Sequence, residues 1–275
     1  MTDEKPLEEQ VVHDVRDGVA WITLNRPEAH NAITPDQRER VIALLKDASE
    51  DLSVRAVVLT ATGKGFCTGA DLRARREERP RPEGAPERAV GDVSRVIRDG
   101  AQRLMAAVLD CEKPVIAAVN GTAAGIGAHL AFSCDLVLAA DTASFVEVFV
   151  RRGLVPDGGG AYLLPRLIGL QRTKQLMFFG DKVTAAEAAE LGLVNQVVPA
   201  DELATTAAAW AARLATGPTR SISLTKWLVN RSLDSDRATA FHDEAVAQEL
   251  NMTSHDANEG VAAFVQRRDP DYLGW

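Results

Sequence analysis

The stretch KPVIAAVNGTAAGIGAHL, residues 113–130, joins an apolar run to a glycine-rich turn and a following helical segment. The run at 113–120 is short and mainly apolar, which is typical of a strand buried on both faces of a parallel sheet. The turn then leads into the segment that carries His129 and Leu130. Ligands of open α/β sheets bind where strands end and helices begin. The turn at 120–127 is therefore the first candidate site.

Two further runs repeat this pattern on either side of the first. Residues 55–60 (RAVVLT) and 135–140 (DLVLAA) are also short and mainly apolar, and segments with helical patterns separate the three runs. Alternation of buried strand and helix predicts β-α-β units with right-handed crossovers. We therefore expect an α/β protein with a parallel sheet.

Turn and cap signals predict the elements before these strands. Asp17-Gly18 is a strong hairpin signal between predicted strands at 11–15 and 19–24. Thr34-Pro35-Asp36-Gln37 combines an N-cap, a proline at N1 and a glutamine at N3, which predicts a helix from residue 35 to about residue 48.

The last third of the chain is predicted to be mainly helical. Thr184 and Glu187 form a second capping box, and residues 194–198 form a possible short strand. Alanine-rich periodic segments then predict helices at 201–214, 218–230, 236–250 and 256–268. We divide the chain into a core at 1–198 that holds the site and a helical C-terminal region at 199–275.

Charge and cysteine content exclude several classes of protein. The chain has 31 Lys and Arg against 39 Asp and Glu residues, a net charge of −8, which disfavours non-specific binding of nucleic acid or anionic membrane. The three cysteines are widely spaced and form neither a disulfide framework nor a metal-binding pair. The first ten residues are acidic and polar, unlike a signal peptide, and no apolar run is long enough to span a bilayer. We expect a soluble, cytoplasmic protein without metal.

Three glycine-containing motifs place backbone or acidic groups at predicted strand ends. GFCTGADL at 65–72 follows a buried strand, so it is either a site for a ligand or a tight turn capped by Asp71. The turn at 120–127 offers the unpaired NH groups of a helix N-terminus to an oxyanion, or else serves close helix packing. In GLVPDGGG at 153–160, Asp157 is either a turn residue or an acid.

Strand, glycine turn, helix, strand and then Asp141 is also the order of a dinucleotide-binding unit. The glycines here follow G-x-x-x-G-x-G and not G-x-G-x-x-G, which misplaces both the tight turn and the approach to a pyrophosphate. A nicotinamide enzyme is therefore disfavoured.

Residues 73–90 (RARREERPRPEGAPERAV) crowd like charges together with three prolines. Such a segment does not bury enough apolar surface to fold alone. It is either a mobile flap that borders the site or a solvated surface loop.

The motifs at 65–72 and 153–160, together with NRPEAHNAI at 25–33 and KPVIAAVNG at 113–121, resemble in their order the crotonase family of enoyl-CoA hydratases and isomerases. EGVAAFVQRR at 259–268 is similar to the terminal helix of that family, so the resemblance spans nearly the whole chain. It is closest to the phenylacetate-degradation type of isomerase. The resemblance implies a spiral of β-β-α units, C-terminal helices that build a homotrimer or a dimer of trimers, and an acyl-coenzyme A thioester as substrate with no permanently bound cofactor.

The resemblance also assigns backbone roles. The family's two oxyanion donors correspond to the NH groups of Ala70 and Ile126, and Ile126 stands where the family usually has glycine, which would narrow the pocket. Lys226 is either a phosphate contact or a solvated lysine. The residues that the resemblance places along coenzyme A are Arg26, Ala29, Thr68, Asp71 and Leu72.

Hydratases of this family carry two glutamates, and this chain has His129 and Phe149 at those positions. The paired carboxylates that activate water are therefore missing. Asp157 stands where the isomerases carry their single acid–base residue, and it would need a pKa raised by burial against Phe149, Val155 and the acyl chain.

Two further residues have open roles. Strand alternation would place Glu147 on the same face as Phe149, although a surface glutamate is the more common outcome. His129 is an acid, a water holder or, more simply, a packed residue that lines the pocket.

The predicted function is migration of a double bond in an acyl-CoA through an enolate held by two NH groups, with Asp157 moving the proton. Two alternatives stay open. One is hydration through His129 with Asp157, and the other is an acyl-CoA binding protein that has lost the chemistry.

Overall fold

The computed structural model describes residues 5–74, 82–87 and 89–275 of the chain. Its strands are β1 (Val11–Arg16), β2 (Val19–Leu24), β3 (Ala56–Ala61), β4 (Gly65–Cys67), β5 (Val115–Val119), β6 (Thr122–Ala124), β7 (Leu136–Ala140), β8 (Ser144–Val146), β9 (Lys182–Thr184) and β10 (Gln196–Val198).

The α-helices are α1 (Leu7–Gln10), α2 (Pro35–Glu50), α3 (Asp92–Ile97), α4 (Arg103–Leu109), α5 (Ile126–Ser133), α6 (Gly160–Ile168), α7 (Leu170–Phe179), α8 (Ala185–Glu190), α9 (Leu203–Ala215), α10 (Thr219–Ser232), α11 (Arg237–Asn251) and α12 (His255–Gln266). A π-helical segment, Arg98–Gln102, joins α3 to α4, and 3-10 turns lie at Pro27–Ala29 and Val148–Arg152.

Two sheets carry the fold. The larger has the order β1-β2-β3-β5-β7-β10, in which β1 and β2 are antiparallel and the remaining neighbours are parallel. The smaller has the order β4-β6-β8-β9, parallel except for β9. The central strand β5 is buried along its whole length, as its uninterrupted apolar sequence predicts.

The chain alternates between the two sheets. Each of β3, β5 and β7 in the larger sheet is followed along the chain by one strand of the smaller sheet, β4, β6 and β8 respectively, and then by helix. This is a spiral of β-β-α units, so the expected α/β fold class is confirmed. Because β4 and β6 are paired in parallel, the segments that follow them emerge side by side.

Local signals in the sequence set the element boundaries. Asp17 and Gly18 both have positive φ (51° and 74°) in the turn between β1 and β2, as a hairpin of this type requires. The Thr34 hydroxyl accepts a hydrogen bond from the Gln37 amide, and the Gln37 side chain accepts one from the Thr34 amide. The predicted helix start at residue 35 is confirmed, and Thr184 with Glu187 caps α8 in the same way.

The helices after residue 199 differ in their burial. Helix α9 buries Ala207, Ala211 and Ala215 in the main hydrophobic core, whereas α10 to α12 are largely exposed. The division of the chain at residue 198 stays a prediction. Lys226 on α10 is not a solvated lysine, because its Nζ donates to the Val108 carbonyl and lies 2.8 Å from Asp135.

Part of the proposed flap at 73–90, residues 75–81 and 88, lies outside the described residues. None of the helices among residues 5–74, 82–87 and 89–275 is long and apolar enough to cross a membrane.

Candidate active site

The site forms where β4 and β6 end. Cys67 of β4 is paired with Ala123 of β6. Ala70 lies three residues after Cys67, and Ile126 lies three residues after Ala123. A Cβ placed on Gly69 would lie 3.2 Å from the Ala124 carbonyl oxygen, so the two segments are in contact. The two motifs that the sequence singled out therefore lie next to each other.

The Ala70 amide is free to bind a ligand. On one side of it the Ile33 amide donates to the Gly69 carbonyl at 2.8 Å, and on the other the Asp71 amide donates to the Ile33 carbonyl at 3.0 Å. These bonds fix the peptide planes around Ala70 and leave its own NH without an acceptor among the described residues.

The Ile126 amide is free for a different reason. Ile126 is the first residue of α5, so its NH precedes the first bond of the helix, and Gly125 at the N-cap has a φ of 54°. The Gly125 carbonyl accepts from the amides of Ala128 and His129, and the Ile126 NH has no acceptor in the described part of the chain. The positive end of the helix dipole favours an anion at this point.

A glycine in α5 sets the distance between these segments. A Cβ on Gly127 would lie 1.9 Å from the Cys67 carbonyl oxygen, so only glycine allows α5 to pack this closely on β4.

The Cys67 thiol is not a candidate nucleophile. Burial raises the pKa of this thiol to about 11, and a hydrogen bond at Gly69 lowers it less, so the thiol is protonated near neutral pH.

Asp157 precedes a glycine that packs against the Ile126 side chain. A Cβ on its neighbour Gly158 would lie 3.1 Å from Ile126 Cγ2. Asp157 is half-buried, and its Oδ1 is buried without a hydrogen-bond partner in the described chain. Burial raises the pKa of Asp157, and His129 nearby lowers it by less. The expected burial against Val155 is wrong, because that side chain is 80% exposed.

His129 is fully buried and lies against Gly158, the residue after Asp157. Its Nε2 lies 3.0 Å from Glu147 Oε2, and its ring stacks on Phe149 with centroids 5.4 Å apart. A surface position for Glu147 is the wrong expectation, since the residue is only 4% exposed. Strand alternation does not apply, because β8 ends at Val146, yet Glu147 and Phe149 both contact the same imidazole.

The structure brings the predicted coenzyme A residues onto one rim. The Thr68 hydroxyl donates to the His30 carbonyl at 3.2 Å, which ties the segment after β4 to the turn that carries Ala29. The bridge between Ile33 and Ala70 continues this contact. Leu72 is exposed on the outside of the rim.

Arg26 is engaged inside the protein. Its guanidinium donates to Asp71 and to the Ala32 carbonyl, both at 3.0 Å, and the Arg26 and Asp71 side chains are 14% and 9% exposed. Burial raises the pKa of Asp71, but hydrogen bonds from the Arg73 amide and from Arg26 together lower it more. Arg26 thus holds in place the loop that presents the Ala70 amide.

Arg26→Lys is expected to lower the free energy of unfolding by about 1.5 to 3 kcal/mol, because lysine does not reach both acceptors in the fork geometry of arginine. We also expect the loss of activity to appear in kcat, since the Ala70 amide adjoins Asp71. Urea denaturation and steady-state kinetics at two salt concentrations measure both effects. A salt-dependent rise in KM with unchanged kcat would show instead that Arg26 contacts a phosphate. Arg151→Lys, in an exposed pair with Asp181, is the matched control.

Other contacts were not evident from the sequence. Ala101 of the π-helical segment and Met105 of α4 lie against Gly158 and Gly159, so they border Asp157. Their sequence carries no signal beyond an apolar helix face. The three glycines at 158–160 were evident as a motif in the sequence, but their packing against His129 was not.

A two-sheet spiral in which two amides without acceptors lie near a half-buried carboxylate is an arrangement that can stabilise an oxyanion formed next to an acidic C–H group. The family model for enoyl-CoA hydratase/isomerase matches residues 14–274. The chain belongs to the enoyl-CoA hydratase/isomerase family, the crotonase family.

Relatives with both kinds of name match almost the whole chain. The 1,2-epoxyphenylacetyl-CoA isomerase of Escherichia coli is 39% identical over 97% of this chain and 99% of its own length. The short-chain-enoyl-CoA hydratase of Clostridium acetobutylicum is 36% identical over 91% and 92%, respectively. The crystal structure of an enoyl-CoA hydratase from Bacillus anthracis superposes with a TM-score of 0.87 at 33% identity, covering 97% of this chain and 100% of that one.

Proposed function

We propose that this enzyme moves a double bond along the acyl chain of an enoyl-CoA. Asp157 removes a proton from the carbon next to the thioester, and the electrons of that C–H bond pass to the carbonyl oxygen. The amides of Ala70 and Ile126 donate to the resulting enolate oxygen. Asp157 then returns the proton further along the acyl chain, so that the carboxylate is regenerated.

The observation that carries this proposal is the state of Asp157. Asp157 is half-buried, its Oδ1 has no partner in the described chain, and the next residue, Gly158, packs against the Ile126 side chain. Glu147 is engaged by His129, and the hydratase glutamate positions hold His129 and Phe149. One carboxylate next to the two amides suffices for proton removal and return, whereas activation of water by the family's route uses two.

Hydration is the second candidate, and one observation on His129 favours it. The Nδ1 atom of His129 is buried and has no partner in the described chain, so it is available to a water between itself and Asp157 if the site opens. The hydratase and isomerase names among the relatives support both candidates.

The test is turnover of a 3-enoyl-CoA and a 2-enoyl-CoA of matched chain length, with migration and hydration followed separately. Migration without hydration supports the proposal. Hydration of the 2-enoyl-CoA by the wild-type enzyme would favour a site that uses His129 with Asp157. Binding of both thioesters without turnover would show an acyl-CoA binding protein.

The activity is also expected to depend on pH through Asp157. As a base, Asp157 must be ionised, so kcat/KM rises as pH increases through its pKa. Because burial raises that pKa, we expect the acid limb of kcat/KM to lie at higher pH than the ordinary aspartate range. The measurement is kcat/KM for the 3-enoyl-CoA against pH. An acid limb at the ordinary pKa of an aspartate would indicate that the base is a more exposed group than Asp157.

Three broader assignments are part of the proposal. The substrate is a coenzyme A thioester that binds along the rim formed by the segments that carry Arg26 and Asp71, and it is released after turnover. Trimers form through the C-terminal helices, which expose apolar side chains such as Trp227, Phe241 and Phe264. A reducing compartment, the cytoplasm, suits three cysteines that are all free and buried.

A further inference from the structure

Buried polar atoms without partners are concentrated at one place in the described chain. The four such side-chain atoms are Asn120 Oδ1, His129 Nδ1, Glu147 Oε1 and Asp157 Oδ1. The last three belong to one cluster. An unpaired buried polar group costs about 1 to 3 kcal/mol, so a cluster of three is poorly explained by packing alone.

The orientation of the imidazole is fixed from several sides. Its Nε2 edge faces Glu147, and its face stacks on Phe149. A Cβ on Gly160 would lie 2.1 Å from Nε2, so the backbone of the first residue of α6 packs directly on the ring. The remaining nitrogen, Nδ1, lies 3.6 Å from the Cβ position of Gly158, the residue that follows Asp157, and has no hydrogen-bond partner in the described chain.

We propose that His129, held by Glu147, is a positioning residue for Asp157. Glu147 occupies Nε2, so Nδ1 is the ring nitrogen left to act on Asp157. The two groups are not hydrogen-bonded in this structure, and in the active arrangement the Nδ1–H group donates to the Asp157 carboxylate, orients it and stabilises its ionised form. This inference rests on the proposed function, because it assigns His129 a role that acts through the Asp157 carboxylate.

The charges around the ring support this arrangement. Among the described residues that pack on the imidazole, α5 contributes His129 itself, the turn after β8 contributes Glu147, and the loop before α6 contributes Asp157. The neighbouring residues Ala101 and Met105 are uncharged, as are Phe149 and the glycines. Asp157 is therefore next to one group that can carry positive charge, and that group lowers the pKa that burial raises.

The experiment compares His129→Gln and Glu147→Gln with Phe132→Leu as the control. Glutamine at 129 keeps a donor towards Glu147 but has no ionisable ring, and glutamine at 147 keeps an acceptor towards His129 but has no charge. Phe132 is a buried residue of the same helix, α5, and its ring stacks on Phe145 and not on His129, so Phe132→Leu leaves the His129–Glu147 bond in place. The pH profile of kcat/KM, the separate values of kcat and KM, and thermal unfolding are measured for each.

His129 is the nearby group that lowers the pKa of Asp157, and glutamine at 129 removes that contribution. We therefore expect the acid limb of kcat/KM to move to higher pH in His129→Gln, and in the same direction in Glu147→Gln. The plateau value of kcat should fall by about tenfold or more, because a misplaced acid–base group reduces reactive geometry while leaving KM nearly unchanged. Phe132→Leu should keep the wild-type limb.

Unchanged limbs in both glutamine variants would overturn the proposal and leave His129 as a packed residue. If His129→Gln fails to fold, Glu147→Gln and the control still decide the point. Asp157→Asn distinguishes the two levels of the argument: if it stays active, the proposed function fails. A loss of activity in His129→Gln would then make the imidazole itself the base and would overturn the positioning role as well.

Discussion

Asp157→Asn is expected to lower kcat for double-bond migration by about 10²- to 10⁴-fold, the range that removal of a general acid–base group produces. Asparagine has nearly the shape of aspartate but does not take up the proton from the substrate. Thioester binding should change little, because the Ala70 and Ile126 amides are untouched. The loss should therefore appear in kcat, measured with a 3-enoyl-CoA, and not in KM.

Stability should not fall in this variant. The buried Oδ1 of Asp157 has no partner in the described chain, so removal of its charge leaves no hydrogen bond broken. Asp181→Asn, at an exposed aspartate, is the control for the same chemical change away from the site. A retained kcat in Asp157→Asn would exclude this residue as the base and direct attention to His129.

Gly127→Ala should reduce activity and stability together. The added Cβ would lie 1.9 Å from the Cys67 carbonyl oxygen and 2.6 Å from its carbonyl carbon, a clash with backbone that no rotamer change relieves. Helix α5 must move away from β4, and the Ile126 amide moves with it. Loss of one oxyanion donor lowers kcat by about 10²- to 10³-fold, and overpacking costs about 1 to 3 kcal/mol of unfolding free energy.

The control for this variant is Gly260→Ala on α12. There the added Cβ would meet the Tyr272 side chain at 3.0 Å, so it tests a crowded glycine in another helix. We expect Gly260→Ala to keep nearly wild-type kcat, because the added Cβ meets the end of a flexible side chain far from the site and no backbone atom. If Gly127→Ala folds and keeps its kcat, the Ile126 amide is not an oxyanion donor.

The sequence was sufficient for features that depend on local patterns. The apolar run at 113–120 predicts β5 because a strand buried on both faces must be apolar at nearly every position. Thr34 and Thr184 predict the starts of α2 and α8 because a cap bonds only to residues within one turn. Glycine-containing motifs in a fixed order were enough to indicate the family, and the roles that they predict for Ala70, Ile126 and Asp157 stay predictions.

The state of each side chain depends on contacts between distant parts of the chain. Arg26 suits a phosphate by its chemistry, but its position 3.0 Å from Asp71, 45 residues away, neutralises it inside the protein. Glu147 is typical of a surface residue, yet β8 carries it to the buried ring of His129. The burial and the charge pairing of a side chain depend on all of its neighbours, and many of these neighbours come close only when the sheets and helices pack together. For this reason the contact between His129 and Glu147 follows from the fold and not from the local sequence.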